Sequence, residues 1–204
     1  ANHAVTTDLE SRKSVERATG RDYDGSVRVR HFIEVIIEDL GLDKLRKMLT
    51  GSLAGMKVAA YYGCLLVRPN GITGFDDPEN PVTMDKIIEV MGGESLDWPG
   101  KVDCCGAALT LTRPGIVTRL SDSIIGMAEA SGAQCMAVAC PMCQINLDMR
   151  QDDIRKETGR NYKMPVMYIT QLMGLCLGIQ GSELGLDRLI NPPEKIMAGV
   201  MMNA

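Results

Sequence analysis

Five of the seven cysteines in this 204-residue chain fall in a pattern that can do chemistry: Cys64, the adjacent Cys104 and Cys105, and Cys140 and Cys143 spaced as C-P-M-C. An odd total does not suit a closed set of disulfides, and neighbouring cysteines are poor candidates to bond each other. Clustered thiols of this kind read as metal or redox ligands in a reducing compartment. A mononuclear zinc site takes four ligands and rarely adjacent cysteines, and a cubane iron–sulfur cluster also takes four. Five converging thiolates exceed both. They suggest a larger cluster, or one with a bridging or additional thiolate, in which adjacent thiolates reach different irons or bridge two of them. Gly106, directly after the pair, lets backbone N–H groups approach inorganic sulfur, where they offset negative charge. Pro141 stiffens the C-P-M-C turn.

The elements that must bring these residues together alternate between strand and helix. "MKVAAYY" (56–62) reads as a buried parallel strand that ends at Gly63 and delivers Cys64. "WPGKVDCCG" (98–106) reads as a short strand ending at Cys104 and Cys105, "QCMAVACPMC" (134–143) as a buried strand running into Cys140 and Cys143, and "MPVMYI" (164–169) as a fourth strand. Helical spacing covers 27–41, 41–49, 83–93 with Thr83 as its N-cap, 116–132, 144–158 and 170–180. The Pro- and Gly-rich "RPNGITGFDDPENP" (68–81) reads as a long ordered loop. This order predicts an α/β fold, a mainly parallel sheet built from βα units, with the site at the C-terminal ends of the strands. The 39 residues between Cys64 and Cys104 and the 34 between Cys105 and Cys140 each accommodate one helical crossover with its loops. Residues 1–26 form a polar lead-in and 27–204 the cluster-binding domain.

Composition narrows the function. Hydrophobic residues make up 45% and charged residues 24%, ordinary for a globular protein, but aromatic residues only 4%, so Leu, Ile, Val, Ala and the 14 Met must fill the core. The net charge of −4 with no basic stripe gives no support to nucleic-acid binding. The longest apolar runs, 58–67 and 136–142, fall short of the roughly 18 residues of a membrane span. The start is polar and carries no signal peptide, which predicts a cytoplasmic protein. Because it is Ala1 rather than Met, a processed start or a fragment is also expected.

Other candidates have plainer readings. Cys135, inside a strand, and Cys176, among apolar neighbours at helical spacing, are expected to pack as small hydrophobes. His3 lies in the polar tail and His31 at the start of an amphipathic helix, so neither supplies an obvious proton donor. Arg68 and Arg113 each precede a proline soon after a cluster cysteine. They either face the site, offsetting thiolate or substrate charge, or make surface ion pairs. One of Tyr61 and Tyr62 is expected in the core and the other near the thiols. "RQDDIRKE" (150–157) reads as a solvated helix face.

In order the cysteines read C…CCG…CxxC, and their surroundings, "YYGCLLVRP", "DCCGAALTLTRP" and "ACPMCQINLDMRQ", resemble the CCG-type cysteine-rich domain in the B subunit of heterodisulfide reductases, from about residue 27 to residue 190. The resemblance implies one non-cubane [4Fe-4S] cluster, built from two fused smaller iron–sulfur units and held by Cys64, Cys104, Cys105, Cys140 and Cys143. It implies cleavage of a disulfide to two thiols by one-electron steps at that cluster, the substrate of the best-known members joining coenzyme M and coenzyme B. Arg68 and Arg113 are then possible neighbours of the reacting centre. The implied partners are a flavin-containing A subunit, an iron–sulfur C subunit, and a small thiol or disulfide. In this family the B subunit has two five-cysteine modules where this chain has one, and "ANHAVTTDLE" looks like the helix that follows the first module. The chain is therefore expected to be the C-terminal part of a two-module subunit, inactive alone. The alternative is a non-catalytic electron-transfer or structural module holding a cubane cluster or zinc.

Overall fold

The computed structural model describes residues 2–74 and 76–202. Ala1, Phe75 and the last two residues lie outside the described residues, and with them one position of the 68–81 loop and the extreme ends of the lead-in and of the 27–204 domain. The described residues divide into two compact units, with the break between Asp39 and Leu40.

The first unit holds helices α1 (Asn2–Thr7), α2 (Leu9–Thr19) and α3 (Phe32–Val35), the last continuing as a π-helical turn, Ile36–Leu40. Asp8 caps α2, its carboxylate accepting from the N–H groups of Glu10 and Ser11, and Gly20 ends the helix at a φ of 66°. The periodicity over 27–41 predicts helix throughout, but the helix begins only at Phe32. His31 sits before it with an extended backbone, its Nδ1 accepting the Ile33 N–H at 3.3 Å. Arg30 then reaches Glu34 at 2.9 Å, Glu38 at 2.7 Å and Asp39 at 2.8 Å, and these pairs tie the segment before the helix to the π turn.

The second unit runs α4 (Leu42–Met48), β1 (Gly51–Ser52), β2 (Lys57–Tyr61), α5 (Asn70–Thr73), α6 (Thr83–Val90), β3 (Glu94–Ser95), α7 (Pro114–Ala130), β4 (Cys135–Val138), α8 (Pro141–Thr158), β5 (Val166–Tyr168), α9 (Ile169–Cys176), α10 (Glu194–Gly199) and β6 (Met201–Met202). β1 and β6 form a separate antiparallel ribbon, Gly51 opposite Met202. The other four strands make one parallel sheet in the order β3-β2-β4-β5, with Val58 opposite both Ser95 and Cys135, and Val138 between Tyr61 and Tyr168. The α/β fold with a parallel sheet expected from the alternation is therefore present. β4 is buried along its whole length and β2 everywhere but Lys57. Such unbroken apolar strands suit a sheet covered on both faces. Ala59, Tyr61, Met136, Val138 and Val166 pack with Ile124, Ile125 and Ala128 of α7 and Leu147 and Ile154 of α8. The alternate residues Val58, Ala60, Cys135, Ala137 and Met167 point the other way and are equally buried.

Three local readings need correction. Residues 98–106 form no strand; the edge strand is Glu94–Ser95. Pairing with β2 ends where the Leu96 N–H reaches the Val58 carbonyl, and the Ala60 carbonyl is taken instead by the Trp98 indole N–H at 3.0 Å. Pro99, which has no N–H to donate, follows at once. Thr83 is the first residue of α6 rather than its cap. Asp76 does the capping, accepting from the N–H groups of Val82 and Thr83. Helix α8 starts at Pro141, three residues before the predicted 144, so Cys143 belongs to its first turn. A proline is tolerated at the first helical position because its missing N–H would have had no partner there.

Beyond Trp98 the chain is fixed by a buried ion pair. Lys101 Nζ lies 2.8 Å from Asp85 Oδ1, which also accepts from Ser95 Oγ, and Asp85 Oδ2 accepts from the Tyr62 hydroxyl. The Lys101 main-chain oxygen accepts the N–H groups of Tyr62 at 2.9 Å and Gly63 at 3.1 Å. The loop carrying Cys104 and Cys105 is thereby joined to the end of β2. Replacing Asp85 by Asn leaves the Lys101 ammonium buried without its counter-charge. Chemical denaturation is expected to show a loss of about 3–5 kcal/mol, and a loss below about 1 kcal/mol would mean that the pair is not the anchor described.

Candidate metal centre

In the sheet the chain steps from β2 outward to β3, then returns to the other side of β2 to lay down β4. That reversal opens a crevice beyond the C-terminal ends of β2 and β4, the place where open α/β sheets form their sites. Cys64 follows β2, Cys104 and Cys105 lie on the loop between β3 and α7, and Cys140 and Cys143 stand at the junction of β4 and α8. All seven cysteines are free thiols.

The structure brings four of the five predicted residues together as two pairs. The Cys64 and Cys104 sulfurs are 3.7 Å apart on the open side, and those of Cys105 and Cys143 are 3.5 Å apart on the buried side. Cys140, half-buried, precedes the first turn of α8, and its carbonyl accepts the Gln144 N–H. Cysteine thiolates near a helix N-terminus are favoured by the partial positive charge there. Among the described residues no group of three or more His, Cys, Asp or Glu side chains is gathered so as to hold a single metal ion.

Two glycines shape the backbone beside the sulfurs. Gly63 turns at a φ of 66°, and a Cβ there would stand 3.0 Å from the Cys143 sulfur. Gly106 has a φ of 77°; a Cβ there would meet Leu120 at 2.9 Å, and its N–H points at the Cys104 sulfur from 3.4 Å. The Tyr61 hydroxyl donates to the Asp103 carbonyl at 2.7 Å, holding the residue before the cysteine pair. Tyr61 is therefore the tyrosine beside the thiols, and Tyr62 the one in the Asp85 network.

The buried pair shares its protons unequally. Cys105 is pulled down to about 6, first by the hydrogen bond from the Cys143 thiol, against the opposing effect of burial, and also by N–H donors from Asn146 and Ala107. Cys143 is pushed strongly up, by the same hydrogen bond and by burial. Cys64 is pushed up by burial and then by Cys104. The Tyr61 phenol is also raised, by burial and then by the neighbouring thiolates. A site that crowds thiols so closely that they oppose one another's ionisation is suited to cationic metal, which takes the place of the protons. The donor set is all sulfur, its backbone is cut back at Gly63, and N–H groups point at sulfur. These features fit an iron–sulfur cluster held by the five cysteines.

The remaining candidates lie elsewhere or are engaged. Cys135 and Cys176 are fully buried, in β4 and at the end of α9, and burial alone raises them to about 12 and about 11. Arg68 donates to the Pro78 carbonyl and pairs with Glu79 at 2.8 Å, both within the 68–81 loop. Arg113 is exposed at the start of α7, and its side chain makes no ion pair with the described residues. His3 and His31 belong to the first unit. Along 150–157 the pairs Arg150–Asp153, Arg155–Asp152 and Lys156–Asp153 lie on the surface, while Gln151 and Ile154 face inward.

Sequence reasoning missed Gly63 and Asn146. The missed signal in α8 is a run of polar residues on its buried side. Gln144, Asn146, Asp148 and Gln151 are all buried, and each is matched to a partner: Val166, Cys105, the N–H groups of Ile190 and Asn191, and Met164.

Residues 58–148, from β2 through the first half of α8, match the family described as the CCG cysteine-rich domain. These residues are a CCG domain. The CCG domain spans all five cysteines of the crevice, as the motif resemblance implied. The chain is 31% identical over 198 residues to the B subunit of the ferredoxin:CoB-CoM heterodisulfide reductase of Methanosarcina mazei, covering 92% of the chain and 64% of that relative. It is 32% identical over 194 residues to the B subunit of a ferredoxin/F(420)H(2)-dependent CoB-CoM heterodisulfide reductase of Methanosarcina acetivorans, with the same coverage. It is also 30% identical over 174 residues to the 8-methylmenaquinol:fumarate reductase membrane anchor subunit of Wolinella succinogenes, covering 85% of the chain and 61% of the relative. The chain spans less than two-thirds of the length of these three relatives. No helix among the described residues is long and apolar enough to cross a membrane.

Gly63 provides a test of the CCG crevice. Gly63→Ala puts a methyl against the Cys143 sulfur and costs about 1–2 kcal/mol in backbone strain at positive φ. The variant is expected to keep its far-UV circular dichroism but to take up several-fold less iron on anaerobic reconstitution. Full iron uptake would show that the crevice does not need this clearance.

Proposed function

We propose that the chain is the cluster-bearing part of a heterodisulfide reductase-like oxidoreductase, and that Cys64, Cys104, Cys105, Cys140 and Cys143 hold one non-cubane [4Fe-4S] cluster. The observation that carries this reading is the pairing of the thiols. Cys64 with Cys104 and Cys105 with Cys143 lie at distances that two ligands of one metal adopt, yet among the described residues no three side chains are gathered on one point. Such an arrangement favours several irons over a single zinc. When bound, the cluster supplies one-electron steps and an iron to which a substrate sulfur can attach.

The protein groups divide the remaining work. Cys105 and Cys143 anchor the dry side, and Cys64 and Cys104 leave the other side open to a small disulfide. The N-terminus of α8 and the Gly106 N–H offset the accumulated negative charge. Arg113, exposed and unpaired among the described residues, is available to an anionic substrate. The overall reaction adds two electrons and two protons to a disulfide and yields two thiols. We assign delivery of the electrons to a flavin-containing A subunit, together with an iron–sulfur C subunit, in the cytoplasm. The names of the two Methanosarcina relatives support the reaction class, and their greater length supports a larger subunit of which this chain is one part, inactive alone. A second reading, electron transfer without disulfide chemistry, is favoured by the relative named as part of a fumarate reductase.

Anaerobically purified protein is expected to contain about four iron and four sulfide per chain and, once oxidised, to give an EPR signal that changes on adding thiol. Cys104→Ser and Cys105→Ser should each abolish that signal. About one zinc and no sulfide would end both cluster readings. A full iron content with a signal indifferent to thiol would leave electron transfer alone.

A further inference from the structure

Asn146 is a polar side chain at the floor of the crevice, with only 1% of its surface exposed. Its side-chain amide lies 3.3 Å from the Cys105 carbonyl oxygen and 3.6 Å from the Cys105 sulfur. On the other side it lies 3.1 Å from the Thr110 hydroxyl. Which end of the amide faces which neighbour follows from chemistry. The Cys105 carbonyl is an acceptor only, so the NH2 end must face it, and the same NH2 then has a second proton for the sulfur. The carbonyl end is left facing Thr110, whose hydroxyl donates to it. The Asn146 backbone oxygen accepts from Ser121 Oγ of α7 at 3.4 Å, and Arg150, one turn further along α8, donates to the Thr110 carbonyl at 3.3 Å. Both members of the relay are thus held at two points.

An N–H group aimed at a ligating sulfur withdraws electron density from it. The interaction strengthens as the sulfur becomes more negative on reduction, so it favours the reduced state. Residues beyond the ligands commonly set the properties of a metal site in this way. We propose that Asn146 is a positioning residue of the centre: aimed by Thr110, its side-chain N–H bonds the Cys105 sulfur and raises the reduction potential of the iron–sulfur group that this sulfur holds. The inference rests on the reading of Cys105 as a cluster ligand. It assigns to the two adjacent cysteines different N–H donors, the Gly106 backbone for Cys104 and, beside the Ala107 backbone, a replaceable side chain for Cys105.

The test uses the full chain reconstituted with iron and sulfide, unsubstituted and as Asn146→Leu, Thr110→Val and Thr110→Ser. The readouts are iron content, midpoint potential by redox titration, and coupling of the paramagnetic centre to exchangeable protons in H2O against D2O. With iron content preserved, Asn146→Leu is expected to shift the potential to more negative values and to lose one exchangeable-proton coupling. Thr110→Val should shift it in the same direction by less, and Thr110→Ser, which retains the hydroxyl, should match the unsubstituted chain. Unchanged potentials and couplings in fully loaded variants overturn the inference and leave the cluster reading intact. Loss of iron from both Asn146→Leu and Thr110→Val also overturns it, because the pair would then be needed to build the site rather than to tune it. An unsubstituted chain that takes up no iron overturns the cluster reading, and this inference with it.

Discussion

The Lys101 main-chain oxygen receives the N–H groups of both Tyr62 and Gly63, and the site depends on that double hydrogen bond. The edge strand β3 is only two residues long and ends well before the cysteines, so ladder pairing alone cannot place the Cys104–Cys105 loop. A side chain, Trp98, extends the contact by one carbonyl, and the Lys101 oxygen completes it. The Lys101 ammonium is itself anchored to Asp85, so the loop is held by backbone and side chain of the same residue. Without this fastening the loop would keep only side-chain bonds, from Tyr61 to the Asp103 carbonyl and from Asn146 to the Cys105 carbonyl, to set the distance of Cys104 from Cys64. A carbonyl with two lone pairs and a buried charge with its counter-charge do here what extra strand length does in other sheets.

The second governing constraint is electrostatic. Five thiols in one crevice repel one another once ionised, and burial makes that repulsion worse. The fold answers with donors rather than with basic side chains. One guanidinium that follows a cluster cysteine, that of Arg68, is engaged by Pro78 and Glu79, and the other, that of Arg113, is exposed to solvent. The N–H groups of Gly106, Asn146 and Ala107 stand against sulfur, and Cys140 and Cys143 lie at the first turn of α8. Neutral dipoles stabilise thiolates without cancelling their charge, and so leave them able to bind metal.

Much of this was legible in the sequence. The three cysteine stations, their order along the chain and the βα alternation that delivers them to one end of a sheet all follow from residue type and spacing. Cys135 and Cys176 could be set aside because their neighbours were apolar at strand and helix periods. Several of the failures come from a side chain substituting for backbone or acting from far away in sequence. Trp98 takes a rung that a strand would take, Asp76 caps a helix for which the local sequence offers Thr83, and Asn146 reaches back 41 positions to Cys105. Local periodicity carries no information about such bonds. Gly63 was seen only as the end of a strand, because the sulfur it makes room for lies 80 residues further on.

The scattering of the cysteines along the chain also has a consequence for folding. Apart from the C-P-M-C pair and the adjacent Cys104 and Cys105, thiols from different stations meet only after β2, β3 and β4 have assembled, so no short segment can make the whole centre in advance. Anything that binds all five ties three distant connections together, closing the long loops between Cys64 and Cys143 as a set of cross-links would. Such a group acts as a clasp on the finished sheet, and by mass action its retention and the survival of the fold become one equilibrium.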